Sequence, residues 1–218
     1  MTQTAAPPAN DHTHVDLPMQ TRMDVRLMPE TVQDNARTIE LVWSTGAAVR
    51  RRDFWTGKPY EEVLSLEPAH VDLARLNSGA PLLDAHDAFE LAGVLGVVER
   101  AWIAREDDRL VGRAVVRFSD RDEVEPIWRD VRAGIIRNVS VGYTLNEVRV
   151  ETPEKVGEVE KRIATRWTPH EISFVTVPAD AGAQVRSADT MDLYPCIVTR
   201  SSSHAAALAR MRMRQLGI

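Results

Sequence analysis

A serine, a histidine and a glutamate carry the chemistry that a hydrolytic site would need. Ser140 lies in Ile135-Ile136-Arg137-Asn138-Val139-Ser140-Val141-Gly142-Tyr143. With a period of two, Val139, Val141, Tyr143 and Leu145 fall on one side of a strand, and Ser140, Gly142, Thr144 and Asn146 on the other. The hydroxyl is thus expected on a polar, open face, and Gly142 leaves room there for another backbone or a ligand. Ser-x-Gly is common, so Ser140 carries little weight alone. His86 ends the short apolar run Pro81-Leu82-Leu83-Asp84-Ala85-His86-Asp87, where a strand would reach a rim. Imidazole titrates near neutrality and is the usual base for a hydroxyl nucleophile. Asp84, His86 and Asp87 also offer metal-ligand chemistry, but no other His/Asp/Glu cluster has ligand spacing, which ranks a metal below a base. Glu171 begins a strand in which Ile172 and Phe174 fall opposite Glu171 and Ser173. Its carboxylate is either a rim ion pair or the group that accepts a histidine's second ring N–H. Spacing does not choose between them.

The elements that must position these groups are mostly strands. Thr38 to Ser44 is a β-rich run ended by Thr45-Gly46, and residues 91–104 and 110–118 read as two strands joined by a charged turn. Gly93, Gly96 and Gly112 suggest sharp bending, as in a small barrel, and none belongs to a phosphate-binding loop. Pro68 to Ser78 has helical punctuation, with Gly79 as its stop. Val124, Ile127, Trp128, Val131 and Ile135 share one face of an amphipathic helix ended by Gly134. Residues 148–150 and 162–167 read as the arms of a hairpin. Arg50-Arg51-Arg52 is expected on a solvated face.

The 218 residues allow one full domain with appendages, with an ordinary mixture of 44% hydrophobic and 27% charged residues. A net charge of −5 gives no support to nucleic acid as the main partner. The single cysteine, Cys196, allows no internal disulfide and no CxxC site, and is given no role. No apolar run is long enough to span a bilayer and the N-terminus lacks a signal-peptide core, so an intracellular, soluble protein is expected. Residues 1–21 are expected to be a disordered arm, with His12 and His14 solvated rather than gripping a metal. Residues 22–187 form the expected folded unit, and 188–218 a flexible tail with a basic helix near its end.

The order of the motifs narrows the field. A helix, Leu82-Leu83-Asp84-Ala85-His86-Asp87, paired glycine-bearing strands, an amphipathic helix, Asn138-Val139-Ser140-Val141-Gly142-Tyr143 and then His170-Glu171-Ile172-Ser173-Phe174-Val175-Thr176-Val177-Pro178-Ala179-Asp180 follow one another. In this, over roughly residues 24 to 187, the chain resembles the prohead serine proteases of tailed bacteriophages. The resemblance implies an α+β fold similar to herpesvirus assembly proteases, a compact bent antiparallel β-barrel flanked by helices. It implies a serine endopeptidase of capsid maturation, working inside the procapsid in the bacterial host cytoplasm. Major capsid protein and scaffold would be its substrates and partners, and it would also cleave itself through an acyl-enzyme. It makes Ser140 the nucleophile, His86 the general base and Glu171 the third member, with Asp84 and Asp87 as competing carboxylates. It implies neither metal nor organic cofactor, no membrane and no specific nucleic acid; it leaves the oligomeric state open, with a homodimer as one option because herpesvirus relatives need dimerisation for activity. The Asp84-Ala85 pair departs from the amide or other small polar residue that the family often shows before its histidine. A catalytically silent capsid-assembly or scaffold module of the same fold is the alternative, and the intact His86, Ser140 and Glu171 argue against it.

Overall fold

The computed structural model describes residues 11–23, 26–53, 55–153, 158–176 and 192–200. In chain order the strands are β1 (Asp11–Pro18), β2 (Gln20–Met23), β3 (Arg26–Gln33), β4 (Thr38–Ser44), β5 (Val49–Arg52) and β6 (Pro59–Leu64). The single-turn helix α1 (Ala74–Asn77) precedes β7 (Pro81–Asp84), β8 (Val94–Glu106) and β9 (Arg109–Phe118). Helix α2 (Glu125–Arg132) leads to β10 (Val139–Glu151), β11 (Glu160–Phe174) and β12 (Leu193–Arg200). All of these strands join one sheet, so the described residues are mostly β with little helix.

The expected closed antiparallel barrel is not formed. Pairing runs β1-β12-β10-β11-β7-β8-β9-β4-β3, and among the described residues the ends β1 and β3 do not meet. Pro29 offers no N–H along β3, and the β3/β4 register breaks between Met28 and Gln33, so that edge is poorly made to extend the ladder. Nor is the sheet purely antiparallel. Short connections make neighbours such as β3/β4 and β8/β9 antiparallel, whereas β6 and β7 reach β11, and β12 reaches β10, through longer connections and lie parallel.

The spine is the β10/β11 hairpin, longer than the separate strand and arms expected, and bulged between Gly142 and Tyr143 and on either side of Glu147. Its inner face carries the core aromatics. Trp167 meets Trp43 and Tyr143 edge-on, with centroids 5.9 and 5.6 Å apart. Phe118 packs on Trp128 of α2 at 4.9 Å and on Phe174 at 5.6 Å, and backs the end of the hairpin where β10 begins.

Other expectations give way to tertiary contacts. The helix expected over Pro68 to Ser78 shrinks to α1 because the sheet takes the preceding backbone. His70 O and Asp72 N both bond Trp167, at 3.0 Å each, and Val71 bridges it. Val124, Trp128 and Val131 are buried as the helical period predicts, but Gly134 (φ 69°) turns the chain away and leaves Ile135 68% exposed. The expected disordered arm is strand from residue 11 onward, because β12 supplies a partner along the whole of β1. The hydrogen-bonded sheet therefore reaches beyond both ends of the expected 22–187 unit. The tail helix and the Pro178-Ala179 pair lie outside the described residues. Burial pushes the Cys196 thiol up to about 12, so it packs as a small apolar group.

Arg51, expected on a solvated face, is buried. Its Nε donates to Glu62 at 2.8 Å, and its Nη2 donates to Thr21 O at 2.6 Å and to the Tyr143 hydroxyl at 2.9 Å. Tyr143 in turn donates to Glu62. Burial, reinforced by the Glu62 charge, holds the Tyr143 phenol well above its ordinary pKa, so it remains a donor. Glu62→Ala strands the Arg51 guanidinium and is expected to lower the unfolding free energy in urea by about 3–5 kcal/mol. Arg51→Met/Glu62→Leu together should recover most of that loss.

Candidate active site

Ser140 enters the site from the first turn of the β10 pleat, between Met23 of β2 and Ser173 of β11 in the ladder. Its face is polar as expected but not open: Ser140 is 2% exposed, covered by neighbouring strands and by a histidine. That histidine comes from the turn after β7. Strand β7 runs parallel to the end of β11, with Leu82, Leu83 and Asp84 opposite Ile172, Ser173 and Phe174. Ala85 N bonds Phe174 O and Asp87 N bonds Asp84 O, both at 2.8 Å. The two central residues, Ala85 (φ 46°) and His86 (φ 65°), are left-handed, as a type I′ turn requires. Neither is glycine, so the turn stores about 1–3 kcal/mol at each residue. The turn points the imidazole back over the sheet, where its hydrogen bonds offset the strain.

Both ring nitrogens are engaged. His86 Nε2 lies 2.8 Å from Ser140 Oγ and Nδ1 lies 2.6 Å from Glu171 Oε1. An ionised carboxylate only accepts, so the proton belongs on Nδ1 and Nε2 presents its lone pair to the serine hydroxyl. Glu171, 5% exposed, stands opposite Gly142 in the ladder. A Cβ at residue 142 would come within 2.2 Å of Glu171 Oε1. The room left by Gly142 is thus taken by the carboxylate itself.

The competing carboxylates are used elsewhere. Asp87 Oδ1 accepts from Phe89 N at 3.0 Å and Glu90 N at 3.3 Å, which shapes the loop after the turn. Asp84 is exposed and lines a neighbouring cleft with Asn138. Asp84, His86 and Asp87 do not converge, and among the described residues no group of three or more His, Cys, Asp or Glu lies within reach of one metal ion. His12 is an exposed partner of Thr199 on the β1/β12 edge, remote in the ladder from Ser140.

One site residue escaped the sequence reading. Ser173, fully buried, donates its hydroxyl to Glu171 Oε2, so each carboxylate oxygen has its own donor. The signal was present, since Ser173 shares the face of Glu171 at i+2. Beside it, burial and then the charge of Arg75 hold the His170 imidazole below its ordinary pKa, and its Nε2 lies 2.9 Å from Thr144 Oγ1. The loop before β10 is tied to the end of β11: Asn138 O accepts from Val175 N at 3.0 Å, and its amide donates to Thr176 O at 3.3 Å.

Residues 69–195, which include His86, Ser140 and Glu171, match the family described as caudovirus prohead serine protease. The chain belongs to that family. A relative named as the major capsid protein of Halomonas phage phiHAP-1 is 50% identical over 119 residues, 55% of this chain and 19% of that one. The chain therefore spans less than a fifth of the length of the curated relative it matches. Among solved structures, the bacteriophage T4 capsid assembly protease aligns with 74% of this chain and 98% of its own at 12% identity. Its TM-score of 0.39 marks a distant likeness.

Two substitutions probe the geometry through the rate at which a simple fluorophosphonate labels Ser140. Gly142→Ala displaces the Glu171 carboxylate and is expected to slow labelling about 100-fold, as misplacement of a positioned group does. Ser173→Ala removes one donor and is expected to cost about tenfold. Asp87→Asn, whose side-chain oxygen still accepts from the loop, should label at nearly the wild-type rate.

Proposed function

We propose that this chain is a serine endopeptidase of capsid maturation, with Ser140 as nucleophile, His86 as general base and Glu171 as the group that orients the imidazole. The observation that carries this is the unbroken relay from Ser140 Oγ through both nitrogens of His86 to Glu171. In acylation, Nε2 takes the Ser140 proton as Oγ attacks a peptide carbonyl, and the imidazolium then protonates the leaving amine. Water, activated by the same nitrogen, releases the acyl group and restores the serine. Glu171 remains ionised throughout and balances the transient imidazolium. The tetrahedral oxyanion needs donors. The 134–138 loop, held against β11 by Asn138, is well placed to offer Arg137 or backbone N–H groups.

Family membership supports scaffold or the scaffolding segment of the major capsid protein as substrate, cleaved inside the procapsid in the host cytoplasm. The phiHAP-1 relative adds support, because a segment half identical to this chain sits within a much longer chain named for the capsid protein. Covalent joining of protease and capsid segments would present one to the other at an effective concentration near millimolar, without any dedicated docking surface. It would also bring self-cleavage within reach.

Co-expression with the adjacent capsid or scaffold protein, read by intact mass, tests the assignment. Wild type is expected to truncate the partner, while Ser140→Ala and His86→Ala leave it whole, a rate loss of about 10⁴-fold or more. Glu171→Gln should lose less, since orientation rather than the nucleophile is removed. Full-length capsid protein in procapsids assembled with wild type would instead identify a silent scaffold module.

A further inference from the structure

A cleft of about 300 Å³ opens where β10 begins and β11 ends, with Leu95, Ile127, Ile136 and Phe174 in its walls. Two polar wall residues join it to the site: Asn138 stands two residues before Ser140, and Asp84 two residues before His86. We infer that this cleft is a substrate subsite, which receives one aliphatic side chain of the peptide close to the scissile bond and so sets cleavage specificity. The inference rests on the peptidase assignment above.

Three observations favour an aliphatic occupant. The apolar part of the wall is firmly backed, because Phe174 packs on Phe118 and Phe118 on Trp128. A charged side chain seated against this apolar part would lose its hydration. At the mouth Asp84 and Arg137 contribute one charge of each sign, so no net field attracts an acidic or a basic residue. Finally, Ile135 remains 68% exposed at the cleft although Val124, Trp128 and Val131, which share its helical face, are buried. Among the described residues nothing covers it, so its surface is available to a ligand. Because Asn138 is bonded to both Val175 and Thr176, the cleft wall is held in fixed register with the nucleophile.

The test uses wild-type protein and a set of tripeptidyl phosphonates that carry leucine or glutamate at each of three positions. A bare alkyl fluorophosphonate serves as the control for Ser140 reactivity, and adducts are followed by intact mass. At one position leucine is expected to label Ser140 at least about tenfold faster than glutamate, the discrimination that one apolar contact supplies. Ile127→Lys should bring that ratio to near unity while the bare probe still reacts at the wild-type rate. Thr176→Lys, at an exposed wall position outside the 134–138 loop, provides the same test if Ile127→Lys does not fold. Reaction with the bare probe but no leucine preference at any position overturns the subsite, as does a preference unchanged in both variants. Failure of every probe, the bare one included, overturns the peptidase assignment itself.

Discussion

The site depends on a carboxylate being allowed to lie flat against a neighbouring strand. Glu171 and Gly142 face one another across the β10/β11 ladder, and only the missing Cβ lets the carboxylate occupy the space where a side chain would stand. Buried to 5% exposure, it must have its acceptor capacity met, and His86 and Ser173 do so from opposite sides. Everything upstream serves this seat: the hairpin fixes the register, β7 aligns with the end of β11, and the strained turn swings the imidazole back over the sheet. Left-handed Ala85 and His86 persist because the Phe174 carbonyl and the Glu171 carboxylate hold them from outside.

Burial of the serine is the counterpart of this order. A hydroxyl that is 2% exposed is shielded from adventitious water, and the His86 imidazole is oriented toward it without any ligand bound. The aromatic stack of Phe174, Phe118 and Trp128 beneath the start of β10 limits how far that end of the sheet can relax.

Local patterning made part of this legible. The period of two placed Ser140 and Gly142 on one face, and the strand expected at Thr38 to Ser44 is β4 as observed. Three distant segments could be linked only through a resemblance, because no periodicity reports that residues 86, 140 and 171 meet. What was missed was decided by partners remote in sequence. Trp167 captured the backbone that punctuation assigned to a helix, and Glu62 drew Arg51 inward from a basic run. Strand β12 ordered a segment whose composition alone could not bury enough surface to fold. The barrel failed for the same reason: closure is a property of edges, and a single proline and a broken register on β3 are faint signals in a string of residues.

The pairing of β1 with β12 has a geometric consequence. Asp11 lies opposite Arg200, and Arg200 lies beside Val150, so chain enters β1 and leaves β12 through one corner of the molecule. Ser140 is at the other end of β10, roughly 30 Å away along the strand. A fully extended polypeptide covers about 3.3–3.6 Å per residue. Chain within about eight residues of that corner therefore falls short of Ser140 of its own molecule. Sequence tethered at the corner is out of range of Ser140 until it is long enough to loop back, so for the proposed peptidase linker length would separate cleavage in cis from cleavage in trans.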